Sequence, residues 1–270
     1  MSVLSCTDYS VFDRPEILRY LFYPRPEWNI SVTGGQGIPL TMPISEDVII
    51  GGQFHESARD AANILFFHGN GEVVTDYSDI AHFYQEKGIN FIPVDYRGYG
   101  RSTGYPTVTF MMKDCHTIFS FVKKFLQKQG YTGPLVIMGR SLGSASALEL
   151  AVSYPDEIDG LIIESGFAFI GPLLAIMGIN MMSMGITEDM GFRNLDKVRG
   201  YDKPSLFIHS QYDHIIAHSE GVSLYEASPA RIKKFLTIAN ANHNNIFFAG
   251  MNEYMNAISW LVKQIEKGDE

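Results

Sequence analysis

Six short apolar runs divide the chain beyond residue 60: ILFF (64–67), INFIPV (89–94), PLVIM (134–138), GLIIE (160–164), SLFIH (205–209) and KFLTIA (234–239). They are continuous rather than alternating. Runs of this kind suit parallel strands covered on both faces, whereas a half-exposed antiparallel strand alternates apolar with polar residues. Helical patterns fill the gaps. YSDIAHFYQEKG (77–88) and FMMKDCHTIFSFVKKFLQKQG (110–130) both end in a glycine stop signal, and the second sets Met111, Cys115, Ile118, Val122 and Phe125 on one stripe. SLGSASALELAVSYP (141–155), HSEGVSLYEAS (218–228) and a closing pattern over 245–267 follow. Strand alternating with helix predicts βαβ units and a doubly wound α/β sheet. Upstream, WNISVT (28–33), IPLTMPI (38–44) and DVIIGGQF (47–54) read as strands joined by Gly, Pro and Asp turns without helices. They predict an antiparallel N-terminal edge on a mostly parallel sheet of about eight strands. The whole chain, 1–270, reads as a single domain.

Composition narrows the function. With 46% apolar and 19% charged residues the chain can bury a sizeable core. Thirty acidic against 21 basic residues give a net charge of −9, which disfavours nucleic acid and anionic membranes as main partners, because both require clustered Lys and Arg. Cys6 and Cys115 are too few for a disulfide framework and lack zinc-site spacing. Cys115, on the apolar stripe, reads as an inert core residue. No zinc site is expected. The N-terminus lacks the basic start and apolar core of a signal peptide, and no apolar run reaches the length of a membrane span. The expectation is a soluble cytoplasmic protein.

In an open α/β sheet function gathers at the carboxyl ends of the parallel strands, so the polar residues after each run are the ones to read. After ILFF comes His68-Gly69-Asn70-Gly71-Glu72, whose two glycines let the backbone turn and present N–H groups inward. That suits an anion hole, and equally a plain turn. After INFIPV, Asp95, Arg97 and Arg101 read as an Asp–Arg network bracing a turn. After PLVIM comes Gly139-Arg140-Ser141-Leu142-Gly143. Ser141 could be a helix N-cap, but an N-cap needs neither flanking glycine. A nucleophile on a sharp strand-to-helix turn needs both, because the turn crowds its neighbours.

A serine hydroxyl needs a base, and the base an orienting acid. Asp213 follows SLFIH and His243 follows KFLTIA, in the chain order Ser, Asp, His. Glu164, one strand over, competes as the acid. Asp213 with His214 and His218 forms a weak alternative metal cluster lacking a fourth ligand. His209 reads as a core histidine and His68 as a loop brace. His55, His82 and His116 read as surface or helix-face residues.

The motifs FFHGNG, DYRGYGRS, GRSLGSA and ESGF, in this order, resemble the small serine hydrolases of the α/β-hydrolase superfamily, from residue 60 to the end. The resemblance implies Ser141 as nucleophile, His243 as base and Asp213 as acid. It implies the backbone N–H groups of Asn70 and Leu142 as anion-hole donors, and esterase, thioesterase or amidase chemistry without a cofactor. The branch it looks closest to includes protein-depalmitoylase-like enzymes. Two positions depart from the acid-loop pattern Gly-x-x-Asp-x-x-Val-Pro: Ser210 stands for the Gly and Ala217 for the Pro.

The segment FAFIGPLLAIMGINMMSMGITEDMGF (167–192) breaks the βα rhythm and carries five of the twelve methionines, where the family inserts lids. It predicts a cap. Methionine is flexible and polarizable, so Met177, Met181 and Met184 are candidates to line an adaptable acyl pocket; the alternative is a helix pair packing its own core. The function expected is cleavage of an ester or thioester through an acyl-enzyme. A serine amidase or peptidase shares the same triad, and a non-catalytic binding protein shares the fold.

Overall fold

The computed structural model describes residues 7–27 and 37–268. Each of the six apolar runs forms a strand: β3 (Ala62–Phe67), β4 (Ile89–Val94), β5 (Leu135–Arg140), β6 (Gly160–Glu164), β7 (Ser205–Ser210) and β8 (Lys233–Ile238). β1 (Ile38–Pro43) and β2 (Ile49–Phe54) precede them. One sheet of eight strands results, in the order β1-β2-β4-β3-β5-β6-β7-β8. β3 to β8 pair in parallel, and β2 joins β4 antiparallel, making the expected antiparallel edge. The expected strand at 28–33, like Cys6, lies outside the described residues.

β3 to β7 are buried along their whole length, which explains why their sequences do not alternate. Of the parallel strands only β8, at the edge, is half-exposed. α2 (Ser78–Glu86) and α9 (Met251–Lys267) pack Ala81, Tyr84, Ile258 and Leu261 against one face, with the short α8 (Ile246–Ala249) beside them. α3 (Val108–Gln129), α4 (Gly143–Ser153), α6 (Asn194–Arg199) and α7 (His218–Ala227) cover the other. On α3 the stripe drifts as a 3.6-residue period requires: Leu126 is buried and Phe125 only partly.

Ahead of the expected strands, where the sequence reading assigned no element, a 3₁₀ turn (Tyr9–Phe12) leads into α1 (Pro15–Leu21). Pro15 sits at a helix start, where its missing N–H costs nothing, and Ile17 and Leu21 bury one face at i, i+4 spacing. His55 is not on a surface; it sits buried beyond β2, with its N–H donating to the Phe91 carbonyl at 2.9 Å.

The sheet reverses direction at β3. The chain runs outward from β3 to β4, then returns to β5 on the other side. The loops after β3 and β5 therefore part at a switch point and open a crevice at the carboxyl edge.

Candidate active site

Ser141 occupies the tight turn between β5 and α4 with φ +51°. It is one of four non-glycine residues with positive φ among the described residues; Ser165 and Asn240, after β6 and β8, are two of the others. Strained backbone thus clusters at this edge of the sheet. Both flanking glycines are sterically required. A Cβ on Gly139 would lie 2.3 Å from the Gly143 carbonyl oxygen, and one on Gly143 would lie 2.1 Å from that of Phe67. Ser141 is not the cap of α4. Leu142 holds that position, and the Ser141 hydroxyl points to His243 instead. The Ser141 N–H donates to the Glu164 carbonyl at 2.8 Å, fixing the turn to β6.

The structure brings Ser141, His243 and Asp213 into one hydrogen-bonded line. His243 Nε2 is 3.0 Å from Ser141 Oγ, and His243 Nδ1 is 2.8 Å from Asp213 Oδ2. The Asp213 side chain is buried and fully engaged. It accepts from the N–H groups of Ile215 and Ile216 at 3.0 and 2.8 Å, and from Ser210 Oγ at 3.0 Å. Ser210, which replaces the glycine of the acid-loop pattern, therefore adds a bond to the carboxylate. Burial pushes the Asp213 carboxyl up, but His243 and the two N–H donors outweigh it and hold it below the usual carboxylate range. Glu164 is committed elsewhere, to Arg140 and to the Tyr254 hydroxyl, each at 2.6 Å. No cluster of three or more metal-binding side chains occurs among the described residues. His218 pairs with Thr237 Oγ1 at 2.9 Å.

Asn70 and Leu142 border the same space as Ser141 and His243. Among the described residues neither backbone N–H has an intramolecular acceptor. The Gly69 N–H, by contrast, is spent on Glu72 Oε2 at 2.7 Å. The Asn70 side chain is a clamp that the sequence did not reveal. Its Oδ1 accepts from the Tyr23 N–H at 2.6 Å and the Tyr99 hydroxyl at 2.7 Å, while its Nδ2 donates to the Tyr20 carbonyl at 3.2 Å. The segment after α1 is thereby tied to the turn that presents the Asn70 N–H. Arg25, which donates to the Gly71 carbonyl at 2.9 Å and pairs with Asp76, reinforces the tie.

A cavity of about 140 Å³ opens at Ser141, with Leu21, Leu173, Met177 and Ile215 as its apolar wall. Leu173 and Met177 come from α5 (Ile170–Ile176) and its end, within the Met-rich segment. Met181 and Met184 do not line this cavity, which corrects the expectation for them. Gly178, at φ +79°, reverses the chain after Met177, and the following turn closes on itself through the Ile186 N–H to the Met181 carbonyl at 3.0 Å. Met181 is buried in the core and Met184 packs against it. The segment is pinned at its base: Glu188 caps the first turn of α5, and Glu220 of α7 accepts from the N–H groups of Ala168 and Phe169 at 2.9 Å each.

Arg140 also escaped the sequence reading. It is buried, and its guanidinium donates to Glu72 Oε1 at 2.8 Å, Glu164 Oε1 at 2.6 Å and the His243 carbonyl at 2.8 Å. Burial would lower its pKa, but the two carboxylates override that and raise it. Glu72, opposed by burial but favoured by Arg140 and the Tyr77 hydroxyl, is pulled down to about 2. The signal was present: a charge inside an apolar strand, with another, Glu164, at the end of the next. The Asp–Arg brace after β4 is differently wired than expected. Asp95 accepts from the Val74 N–H at 3.0 Å, and Arg97 pairs with Asp114 of α3 at 2.6 Å.

A nucleophile–base–acid line beside unspent N–H donors is the equipment of acyl transfer. Comparison with known proteins finds similarity to α/β hydrolases. The family model described as "Serine aminopeptidase, S33" matches residues 58–188. Protein bem46 of Schizosaccharomyces pombe is 28% identical over 197 residues, covering 70% of this chain and 64% of that protein. Human alpha/beta hydrolase domain-containing protein 17B is 28% identical over 207 residues, covering 74% and 66%. The chain thus spans just under two-thirds of the length of these relatives. Among solved structures, the Pyrococcus furiosus esterase Pf2001 superposes with a TM-score of 0.70 at 16% identity, over 88% of this chain and 96% of that one. No helix among the described residues is long and apolar enough to cross a membrane.

Proposed function

We propose that this chain, a member of the α/β-hydrolase superfamily, is a serine hydrolase that cleaves carboxylic esters or thioesters of apolar acyl groups. One observation carries the reading: Ser141, at φ +51°, hydrogen-bonds at 3.0 Å to a His243 whose other nitrogen meets the buried carboxylate of Asp213 at 2.8 Å.

His243 Nε2 takes the Ser141 proton as Oγ bonds to the acyl carbon, and the carbonyl π electrons move to oxygen. The N–H groups of Asn70 and Leu142 hold that oxyanion, aided by the positive end of α4. The tetrahedral adduct collapses, the leaving alkoxide or thiolate takes the proton from His243, and an acyl-serine remains. Water, deprotonated by the same His243, attacks it, and the serine leaves with the proton. Asp213 keeps Nδ1 protonated and steadies the imidazolium throughout. Leu21, Leu173, Met177 and Ile215 favour an apolar acyl chain on the wall beside Ser141. The Met-rich segment 167–192 acts as the cap that shapes this wall.

An amidase or peptidase reading has one observation in its favour, the serine-aminopeptidase description of the matching family model. The test is turnover of p-nitrophenyl esters of graded acyl length beside the matching anilides, with labelling by a fluorophosphonate probe. Ester turnover and Ser141-dependent labelling support the proposal. Anilide-only turnover overturns the ester reading, and a wild type that neither labels nor turns over substrate overturns both.

A further inference from the structure

The three partners of the Arg140 guanidinium come from three different strand ends. Glu72 belongs to the turn after β3, Glu164 ends β6, and His243 lies in the loop after β8. Arg140 itself immediately precedes Ser141. The loop bearing His243 follows the half-exposed edge strand. On one side it is tied to the acid loop, through the Tyr212 N–H to the Ala241 carbonyl at 2.9 Å. Its main chain is tied to the centre of the sheet by the bond from Arg140 to the His243 carbonyl at 2.8 Å. On the opposite side, Glu72 takes Arg140 Nε on one oxygen and the Gly69 N–H on the other, at 2.8 and 2.7 Å. Gly69 adjoins Asn70, the candidate oxyanion donor.

From this geometry we infer that Arg140 is a positioning residue that sets the spacing between the base His243 and the anion-hole turn at Asn70, acting through the His243 main chain and through Glu72. The inference rests on the serine-hydrolase reading above and deepens it. A buried arginine needing only charge balance would be satisfied by Glu164. The two remaining contacts reach the segments that carry the base and the oxyanion donor. A planar guanidinium can hold three acceptors in fixed directions at once, whereas a lysine ammonium acts as a point charge on a flexible stem. Base and oxyanion donors matter most when charge develops, so their misplacement lowers kcat more than it raises KM. Arg140 does not line the cavity walled by Leu173 and Met177, so acyl binding is spared.

The test compares wild type with Arg140→Lys, Glu72→Gln, the double variant and Arg97→Lys, reading kcat and KM on a p-nitrophenyl ester, the rate of fluorophosphonate labelling, and Tm. Arg140→Lys is expected to lose about 10- to 100-fold in kcat and in labelling rate, with KM within about twofold. Glu72→Gln is expected to lose about tenfold in kcat. The double variant should be no worse than Arg140→Lys alone by more than about twofold, because both act along one connection. Arg97→Lys, which disturbs a partly buried ion pair away from the site, should lower Tm and leave kcat unchanged. The inference is overturned by an Arg140→Lys enzyme with kcat within about twofold of wild type, or by losses that multiply in the double variant. Should Arg140→Lys not fold, a Glu72→Gln enzyme of wild-type kcat overturns it. A wild type that neither labels nor hydrolyses esters removes the serine-hydrolase reading, and the inference with it. A wild type that labels no faster than Arg140→Lys removes the inference alone.

Discussion

His243 Nε2 stands 3.0 Å from the hydroxyl of Ser141, within direct proton-transfer distance. Ser141→Ala and His243→Ala should each lower ester turnover by about 10³- to 10⁶-fold while leaving the circular dichroism spectrum unchanged. Rates on purified variants check this. An alanine enzyme retaining more than about one per cent of wild-type kcat contradicts the assigned roles.

Gly143 lies so close to β3 that a methyl group would sit 2.1 Å from the Phe67 carbonyl oxygen. The obstacle is backbone in the sheet centre, which cannot move aside. Gly143→Ala should therefore destabilise the fold by about 3 kcal/mol or more. A thermal melt decides the matter: a variant melting within about 2 °C of wild type is incompatible with that geometry.

Burial without a partner for Nε2 pulls the His55 imidazole down to about 4, from an ordinary value of 6.5. Folded His55 thus stays neutral in a range where the unfolded chain takes up a proton. Its contribution is full above pH 6.5 and is lost progressively as the pH falls to about 4, by at most about 3 kcal/mol. Buried His209, also shifted down, acts in the same direction. Urea midpoints followed from pH 7.5 to 4.5 should fall less steeply for His55→Phe than for wild type. Parallel curves would exclude His55 as a source of the slope.

The Asn70 side chain joins the end of α1 and the segment after it to the candidate anion-hole turn, through Tyr20 and Tyr23. Asn70→Ala keeps the backbone N–H but releases the clamp. We expect kcat to fall about tenfold and limited proteolysis between residues 15 and 27 to quicken. Unchanged kcat together with unchanged cleavage would show the clamp to be dispensable.

Met177 is the methionine of segment 167–192 on the cavity wall, whereas Met182 is 86% exposed. Met177→Trp should reduce kcat/KM for long-chain p-nitrophenyl esters by about tenfold relative to the acetate, and Met182→Trp should not. Equal effects of Met177→Trp on short and long esters would remove Met177 from the acyl wall.

The sequence by itself determined the strand-helix alternation, and with it the sheet. It also set the glycines that permit a turn at Ser141 and the placement of Asp213 and His243 just beyond successive strands. These are local properties, since periodicity and small-residue spacing depend on neighbours within a few positions. Tertiary structure decided which strand-end residues meet. Arg140 reaches Glu72, Glu164 and His243, which lie 68, 24 and 103 positions away. Asn70 reaches Tyr23 across 47 positions. No local period encodes such pairs; they arise because the chain reverses at β3 and brings separate loops to one edge. The same holds for Leu21, whose place on the cavity wall depends on where α1 docks. It holds for Met181 and Met184 too, which a turn at Gly178 directs toward the core instead of the cavity.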